Sequence, residues 1–450
     1  MTALLGLCVL SMHAQKQWTL DDCIGYAIAH NITLQKARLQ QQSAQEDVKA
    51  RKGALLPTLS GSSNQSMGYQ PWKDNGIATV TNGQVNTKVN KTSYNGSYGL
   101  NAQWTVWNGN RNHNNVRISE LTEQQAELSV AEQANSIEER ICQLYVQCLY
   151  LAEAIKVSQA TLETSLKNEQ RGQEMVEVGM MSKADLAQLS AQRANDEYNI
   201  VEVQSQLANY KLQLRQLLEL TAADDFDIAT DAPLPWGAAG SGLSTDEQAL
   251  ADIPSLGETY ENALASRPEI ESKKLSIESA NVNLSVAKAG WLPTLSMTGG
   301  VQTSTNSLSN NSWGNQMKTN VNMSGGLSLS IPIFDGKQTK TSVAKARIQQ
   351  QQAQLDLQDQ QKQLYQTIEG FWIDATTNQH KFQAATESVA SQQASFDLLE
   401  EQFNLGLKNI VELMNGKDKL LQAQQSLLQA KYMTLLNMQL LRFYGGSIAP

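Results

Sequence analysis

The chain has 450 residues, a net charge of −9 and a hydrophobic fraction of 41%. Dispersed Lys and Arg residues in an acidic chain do not suit a nucleic-acid partner. After the N-terminal segment, no run approaches the roughly 18 consecutive apolar residues of a transmembrane helix, so the sequence predicts none.

The chain opens with a short apolar segment. Residues 1–14 resemble the hydrophobic region of a secretory signal peptide, and we expect a signal peptide truncated at its start; the alternative is a frayed apolar N-terminus. A bulky residue before Cys8 disfavours lipidation. The other cysteines are Cys23, Cys142 and Cys148. Because their number is odd, we interpret them as small buried apolar residues and not as a disulfide framework.

The sequence contains two copies of one unit. "LPTLS" at Leu56–Ser60 returns at Leu292–Ser296, and the preceding residues align at the same offset of 236. Further on the offset is 227, where "VWNG" at Val106–Gly109 meets "IFDG" at Ile333–Gly336. The slip falls in a polar stretch, where loops absorb changes in length. The predicted parts are a first repeat at 18–220, a linker at 221–255, a second repeat at 256–444 and a tail at 445–450.

Each repeat begins with a predicted amphipathic helix, at about 20–54 and about 256–290. We expect one break in each helix, near Asn31 and near Arg267, because Pro268 suits a first helical position. The predicted caps are Thr19 with Asp22 in the first repeat and a stronger capping box, Ser255 with Glu258, in the second.

Strict alternation of apolar and small polar residues then predicts strands. Pro57 and Pro293 are the expected helix-to-strand switches, because proline lacks the N–H that a helix interior needs. The small, uncharged polar face favours membrane strands over a soluble hairpin, and the ten steps from Tyr94 to Trp104 span roughly 25 Å in a tilted strand. The predicted strands are 58–66, 93–107, 294–303 and 320–334, with Val106 on the apolar face. The predicted membrane-interface aromatics are Tyr94, Tyr98, Trp104, Trp107, Trp291 and Phe334.

A very long helical hairpin follows in each repeat, at 111–220 and 337–441. No proline interrupts its first arm, which at ~1.5 Å per residue is on the order of 100 Å long. Apolar residues at three- and four-residue spacing predict helix packed on helix in a coiled coil. The predicted turning points are Gly109 and Gly336 from strand to helix and Gly179 and Gly406 at the helix tips, with Ser182 and Asn409 starting the return helices.

One chain therefore supplies four membrane strands. An open sheet edge is not tolerated in lipid, and bacterial membrane barrels start at about eight strands. The chain must then oligomerise, and counting alone allows two chains with eight strands or three chains with twelve.

The ordered set of paired motifs resembles the TolC-like outer-membrane factor family. The matching stretches are "WTLDDCIGYAIAHN", the two LPTLS segments, "VWNG" with "IFDG", and the turns "VGMMSKADL" and "LGLKNIVEL", within Trp18 to Tyr444. The resemblance implies an α+β membrane protein that forms a homotrimer. It also implies one 12-stranded β-barrel in the outer membrane, in contact with its lipid, and an α-helical coiled-coil barrel in the periplasm.

The same resemblance implies a passive exit duct for a tripartite efflux pump or a type I secretion system. Its expected partners are a periplasmic adaptor protein and an inner-membrane transporter, with cargo choice residing in the transporter. The alternative is a membrane-anchored coiled-coil structural or adhesion protein without an open channel. The uncharged Ser and Asn faces of the strand runs count against that alternative.

Family resemblance also points to residues at the periplasmic helix tips. Glu412 and Asn415 match the pore constriction, where three copies of Glu412 would form a carboxylate ring that concentrates cations; the alternative is a solvated surface glutamate. The links that hold the tips shut match Asp185, Lys408 and Phe403. Phe403 cannot donate a hydrogen bond, and lysine lacks the bidentate fork of arginine, so this lock is expected to be weaker here, with a Lys408–Asp185 pair as the polar link that remains open.

Sites for enzymatic chemistry are missing from the sequence. Its four histidines are scattered, no His/Cys group has metal-ligand spacing, and no phosphate loop or nucleophile elbow is present. We predict no enzyme activity, no metal and no cofactor.

Overall fold

A computed structural model describes residues 17–74, 77–81, 84–221, 226–230 and 244–446. The predicted signal peptide, Cys8, most of the predicted linker and the last four residues of the tail lie outside these ranges. The described chain divides into a helical unit and a strand-bearing unit. The helical unit comprises Met1–Leu39, Glu127–Glu271 and Leu357–Pro450, and the strand-bearing unit comprises Gln40–Ala126 and Ser272–Asp356.

The long helices have equal lengths in the two repeats. Two helices, α3 and α9, have 67 residues each, and their return helices α4 and α10 have 35 each. The helices are α1 (Leu20–His30), α2 (Ile32–Gly53), α3 (Arg111–Glu177), α4 (Lys183–Leu217), α5 (Thr245–Ala249), α6 (Leu256–Ser266), α7 (Pro268–Lys288), α8 (Trp313–Thr319), α9 (Gln338–Asn404) and α10 (Ile410–Tyr444). The first helix of each repeat breaks at Asn31 and at Arg267, as the sequence predicts.

The strand-bearing unit contains a four-stranded antiparallel sheet in the order β2-β5-β7-β8. A separate hairpin joins β3 to β4, and in the helical unit β1 pairs in parallel with β6. The strands are β1 (Gln17–Trp18), β2 (Thr58–Tyr69), β3 (Ile77–Thr81), β4 (Gln84–Lys88), β5 (Thr92–Trp107), β6 (Asp227–Ile228), β7 (Thr294–Asn306) and β8 (Asn322–Ser330).

Strand registers reproduce the duplication residue by residue. In the first hairpin Leu59 pairs with Ala102. Adding the two sequence offsets, 236 and 227, gives Leu295 opposite Leu329, which is the pair that the second hairpin forms. The slip between the offsets therefore lies wholly in the connections, which are the β3–β4 hairpin in one repeat and α8 in the other.

The strands differ from the sequence prediction at several ends and at one bulge. Two strands run three residues longer than predicted, β2 to Tyr69 and β7 to Asn306, while β5 starts one residue earlier and β8 two residues later. The last strand ends at Ser330 and not at 334, because Pro332 has no N–H to continue a ladder. In β5 the register shifts between Thr105 and Trp107, a bulge that leaves Val106 without its own partner. Trp107 instead lies opposite Leu295, on the apolar face where Val106 was expected.

The two N-terminal caps also differ from the expectation, because the first forms a complete capping box and the second forms half of one. Thr19 and Asp22 form a reciprocal capping box, in which each backbone N–H donates to the other's side chain at 3.2 Å. At Ser255 the Glu258 N–H donates to Ser255 Oγ, and the structure records that half of the box only. The complete capping box is therefore that of Thr19 and Asp22, although the sequence predicts the stronger box at Ser255 and Glu258.

The largest core lies in the helical unit, around α1, α3, α4 and α10. Cys23, Cys142 and Cys148 are free and buried, which confirms the apolar interpretation. Burial raises the pKa of the Cys142 and Cys148 thiols to about 12, so they stay protonated and unreactive. Tyr145 Oη donates to the carbonyls of Trp18 and Ala229, at 3.2 and 3.1 Å, and so fastens the β1–β6 pair to α3.

Part of the predicted linker lies within the described residues. It includes α5, whose N-terminus has a complete Ser244–Glu247 capping box. Among the described residues, no helix is long and apolar enough to cross a membrane.

Candidate functional site: helix tips and open sheet

The tip turns of the helical unit are built alike. Gly179 and Gly406 adopt φ values of +75° and +73°, the left-handed conformation that a helix-ending residue needs and that glycine adopts without steric cost. Ser182 then accepts a hydrogen bond from the Asp185 N–H, and Asn409 accepts one from the Glu412 N–H. Each turn therefore ends one long helix and starts its return helix within a few residues.

Apolar side chains crowd the two tips and remain exposed. Large hydrophobic residues are normally buried, and each of these is more than half exposed in a single chain. They are Val178, Met180, Leu405, Leu407 and Val411. An exposed apolar group at matching places in both repeats is typical of a contact surface.

Glu412 lies in the first turn of α10, where a carboxylate favours the positive end of the helix dipole. Its carboxylate accepts from Lys408 Nζ at 2.5 Å, and both side chains are about 40% exposed. Asn415 is exposed one turn further along. The predicted constriction residues thus lie on one helix, and Glu412 carries its own counter-ion.

The predicted link residues have other partners within one chain. Lys408 pairs with Glu412 and not with Asp185, whose carboxylate accepts from Ser182 Oγ at 2.8 Å. Phe403 is buried in an apolar cluster. The other buried members of this tip cluster are Leu189, Phe396, Ile410, Leu413 and Leu420. Hydrophobic packing therefore holds α4, α9 and α10 together at the position where the family resemblance suggested a polar link.

Sequence reasoning missed a buried ion pair just above the tip cluster. Lys417 of α10 pairs with Asp196 of α4, and both side chains are at most 6% exposed. Ser165 of α3 accepts from Lys417 Nζ at 2.7 Å and donates to Asp196 at 2.5 Å. The signal was present, because Lys417 lies on the apolar stripe between Leu413 and Leu420, where a charge requires a partner.

Aromatic residues lie at both ends of the four-stranded sheet. At the helix end, Trp104 Nε1 donates to the Leu55 carbonyl at 2.9 Å, which ties β5 to the end of α2. At the far end, Tyr98 makes an edge-to-face contact with Trp313. The other predicted interface residues, all exposed in the single chain, are Tyr94, Trp107, Trp291 and Phe334.

The sheet has two different faces and two free edges. On one face, apolar residues such as Leu100, Val301 and Leu327 are exposed. Small polar residues, such as the paired Ser296 and Ser328, alternate with them on the other. Within one chain β2 and β8 each pair on one side only.

The two strand-to-helix switches differ in their surroundings. Gly109 and Gly336 have φ values of +67° and +63°. A Cβ on Gly109 would lie 2.9 Å from Leu292 Cβ, whereas one on Gly336 would meet no atom within 4 Å. The second switch therefore lacks, within its own chain, the packing that the first one has.

Comparison with known proteins identifies the family. A family model described as "Outer membrane efflux protein" matches residues 23–219 and 259–447, which is most of the chain and both repeats. The chain belongs to the outer membrane efflux protein family. This confirms the TolC-like resemblance that the paired motifs indicate.

Individual relatives agree over most of their length. The chain is 23% identical to the outer membrane efflux protein BepC of Brucella suis, covering 95% of this chain and 85% of BepC. It is 25% identical to the outer membrane protein TolC of Escherichia coli, covering 75% and 72%. The solved Campylobacter jejuni CmeC outer membrane channel has the same fold, with a TM-score of 0.76, 18% identity and coverage of 95% and 86%.

These findings establish the fold class and the cellular location of this member of the outer membrane efflux protein family. It is an α+β protein of the outer membrane that extends into the periplasm, with a duplicated helix-strand-strand-helix unit. Its relatives are outer membrane proteins, among them the CmeC outer membrane channel.

Proposed function

We propose that this chain is one of three that form a passive exit duct for an efflux pump or a type I secretion system. The main support is the open four-stranded sheet, with its exposed apolar face and its uncharged polar face. In lipid the unpaired edges of β2 and β8 require partners, and the apolar face must point outward. Three chains would close a 12-stranded barrel whose lumen is lined by small polar groups.

The repeat supports closure between β8 of one chain and β2 of the next. Within a chain β5 meets β7 with Ala102 opposite Gly299. The sequence offsets convert that pair into Leu329 opposite Ser63 of the neighbouring chain. Both residues belong to the outward face, so the converted register keeps apolar and polar faces aligned around the barrel.

The tips provide a docking surface for a periplasmic adaptor. The exposed apolar residues occur in both turns, so three chains would present six similar patches. An adaptor that meets these patches would bury them and connect the duct to an inner-membrane transporter. No enzymatic step, metal or cofactor is part of this proposal.

At the tips, we propose that Glu412, Lys408 and Asn415 line the constriction. Three Glu412–Lys408 pairs would form a ring of alternating charge and not a simple carboxylate ring. Removing the charge of one residue of the pair would leave the charge of the other uncompensated. Glu412→Gln should therefore shift selectivity toward anions, and Lys408→Gln should shift it toward cations.

Single-channel recording in planar bilayers tests both the duct and its constriction. The wild-type protein should conduct, and the two variants should change the reversal potential in opposite directions across a salt gradient. Glu163→Gln is the matched control, because Glu163 pairs with Lys167 four residues on and lies away from the tips. A protein that never conducts would favour the adhesion alternative, and conduction with no response to either variant would remove both residues from the constriction.

A further inference from the structure

A cleft at the outer end of the sheet is not accounted for by transport. We call it the outer cleft; it has a volume of about 520 Å³ and lies against β2, β5, β7 and the connection containing α8. Its residues include Gln65, Tyr94, Tyr98, Asn311, Trp313 and Gln316. The volume falls within the range of about 300–1,000 Å³ typical of ligand pockets.

The outer cleft lies on the apolar face of the sheet, just beyond its apolar band. Tyr98 pairs with Thr303, two residues along from the Leu100–Val301 pair and therefore on the same face. Thr303 Oγ1 donates to the Met317 carbonyl of α8 at 3.1 Å, so α8 covers this face. Because the helices join the opposite end of the sheet, the cleft lies at the outer surface of the membrane.

The connection that forms the cleft is held by specific hydrogen bonds. Gln316 is 5% exposed; it accepts from the Asn306 N–H at 2.8 Å and donates to the carbonyls of Asn306 and Asn311 at 3.1 and 2.7 Å. Tyr94 and Ser307 exchange two further bonds, at 2.8 and 2.9 Å. The walls are thus preorganised, which lowers the entropic cost of binding.

The chemistry of the lining excludes some ligands and favours one class. None of the described residues that line the cleft is Asp, Glu, Lys, Arg or His, so it offers no counter-charge to a phosphate or a carboxylate. It offers instead the rings of Tyr94, Tyr98 and Trp313. It also offers side-chain amides, which both donate and accept: Asn311, and Gln65, whose Nε2 donates to Tyr98 Oη at 2.9 Å and keeps its second N–H and its carbonyl.

We propose that the outer cleft binds a neutral carbohydrate. A sugar ring has C–H faces that stack on aromatic rings and hydroxyls that bond to amides, which matches the two kinds of group in the lining. The position also suits such a ligand, because glycolipid headgroups surround an outer-membrane protein at this level. The inference rests on the outer-membrane location and does not require that the protein conduct.

Saturation-transfer NMR on the intact protein, in nanodiscs prepared without sugar-headed detergent, tests this site. The probes are the methyl glycosides of glucose, galactose, mannose and N-acetylglucosamine, with methyl phosphate as the charged comparison. We expect transfer to the ring protons of at least one glycoside and none to methyl phosphate. Trp313→Ala should weaken glycoside binding at least tenfold, and Trp72→Ala is the control, since Trp72 is an exposed tryptophan that does not line the cleft.

The assignment would be overturned by no transfer to any glycoside, or by equal transfer in the wild type and in Trp313→Ala. Stronger transfer to methyl phosphate than to the glycosides would also contradict it. A second arm identifies the source of the sugar. Lipooligosaccharide in the nanodisc should compete with the glycoside if the site binds a membrane glycolipid, whereas undiminished glycoside binding assigns the site to free saccharide.

Discussion

Lys417 interrupts an otherwise apolar stripe of α10 and depends on Asp196 across the helix pair. Asp196→Ala would leave a buried, uncompensated ammonium group, so we expect a loss of about 3–5 kcal/mol in the free energy of unfolding. Thermal denaturation of the assembled protein measures the loss. The exposed Glu197→Gln change, which breaks a surface pair with Arg193, should have little effect.

A paired replacement separates the charge from the packing. Asp196→Leu combined with Lys417→Met should recover most of the lost stability, because two apolar side chains of similar volume need no compensation. If the double variant is as unstable as Asp196→Ala, the shape of the pair and not its charge is what matters at this position.

Asp418 lies next to Lys417. We expect its contribution to the stability of the folded state to depend on pH with the opposite sign to that of an ordinary salt-bridged carboxylate. Asp418 is exposed in the single chain, and partial desolvation raises its pKa; Lys417 opposes the rise and Asp196 adds to it. A carboxylate with a raised pKa destabilises the folded state above that pKa, and the penalty disappears as the pH falls to the ordinary value of 3.8.

The isosteric change Asp418→Asn should therefore raise the melting temperature slightly at pH 7, because solvent screens an exposed group, and have no effect at pH 3.5. The neutral amide can still accept the bond that Gln192 Nε2 donates at 3.2 Å. Melting curves across this pH range measure the difference, and a gain that persists at low pH would show that burial of the charge is not its cause.

At the scale of single residues, local signals were sufficient in some places and not in others. The left-handed glycines and the caps at Ser182 and Asn409 follow from chemistry within a few positions. The Lys408–Glu412 pair is four residues apart and could have been predicted from the sequence. The Lys417–Asp196 contact joins residues 221 positions apart, and no local pattern identifies such a partner.

Among the elements, the two strand-to-helix switches allow the most direct test. Gly109→Ala forces a side chain into the left-handed region, at roughly 1–2 kcal/mol, and also drives it against Leu292. In the proposed trimer, the sequence offsets would place Leu56 of a neighbouring chain opposite Gly336 in the same way. Gly336→Ala should therefore lower the melting temperature of the trimer about as much as Gly109→Ala does.

Gly25→Ala is the control for these variants, because Gly25 is helical, has no left-handed φ and has open space around its Cβ position. That change should be neutral or stabilising by up to about 1 kcal/mol. If Gly336→Ala is much milder than Gly109→Ala, the seam between chains lacks the contact that the repeat predicts.

The elements that sequence reasoning missed have weak patterns. The β3–β4 hairpin and α8 lie in polar stretches that lack a clear apolar period, so nothing separated them from loops. By contrast α5 has the Ser244–Glu247 box in its sequence, and it was overlooked because the surrounding Pro, Gly and Ala residues indicate a linker. The early end of β8 follows from Pro332, a signal that was visible and underweighted.

For the whole molecule, the proposed register between β8 of one chain and β2 of the next can be tested directly. Cysteines replacing Ser63 and Leu329 should form an oxidised cross-link between subunits, because both lie on one face of adjacent strands. Cysteines at Asn64 and Leu329 are the control and should not cross-link, since the two side chains leave opposite faces. Non-reducing gel electrophoresis gives the result. The native cysteines of the described chain are buried, which limits side reactions.

Linked trimers from the Ser63–Leu329 pair would support closure by β8 and β2. Cross-linking from the control pair alone would show a register shifted by one residue. Linked dimers that never extend to a third chain would exclude the twelve-stranded ring. Counting strands in the sequence leaves two or three chains open, and the size of the cross-linked product decides between them.

The equal lengths of the paired helices have a consequence for how such a gene can vary. Inserting one residue into α3 alone would turn its tip by about 100° and advance it by about 1.5 Å relative to the tip of α9. The two helices of the hairpin, of 67 and 35 residues, must therefore keep the same lengths in both repeats. The connections between strands, by contrast, differ by nine residues between the repeats without altering any strand register. We expect insertions and deletions in natural variants to be confined to those connections, or to occur as matched changes in both halves of the gene.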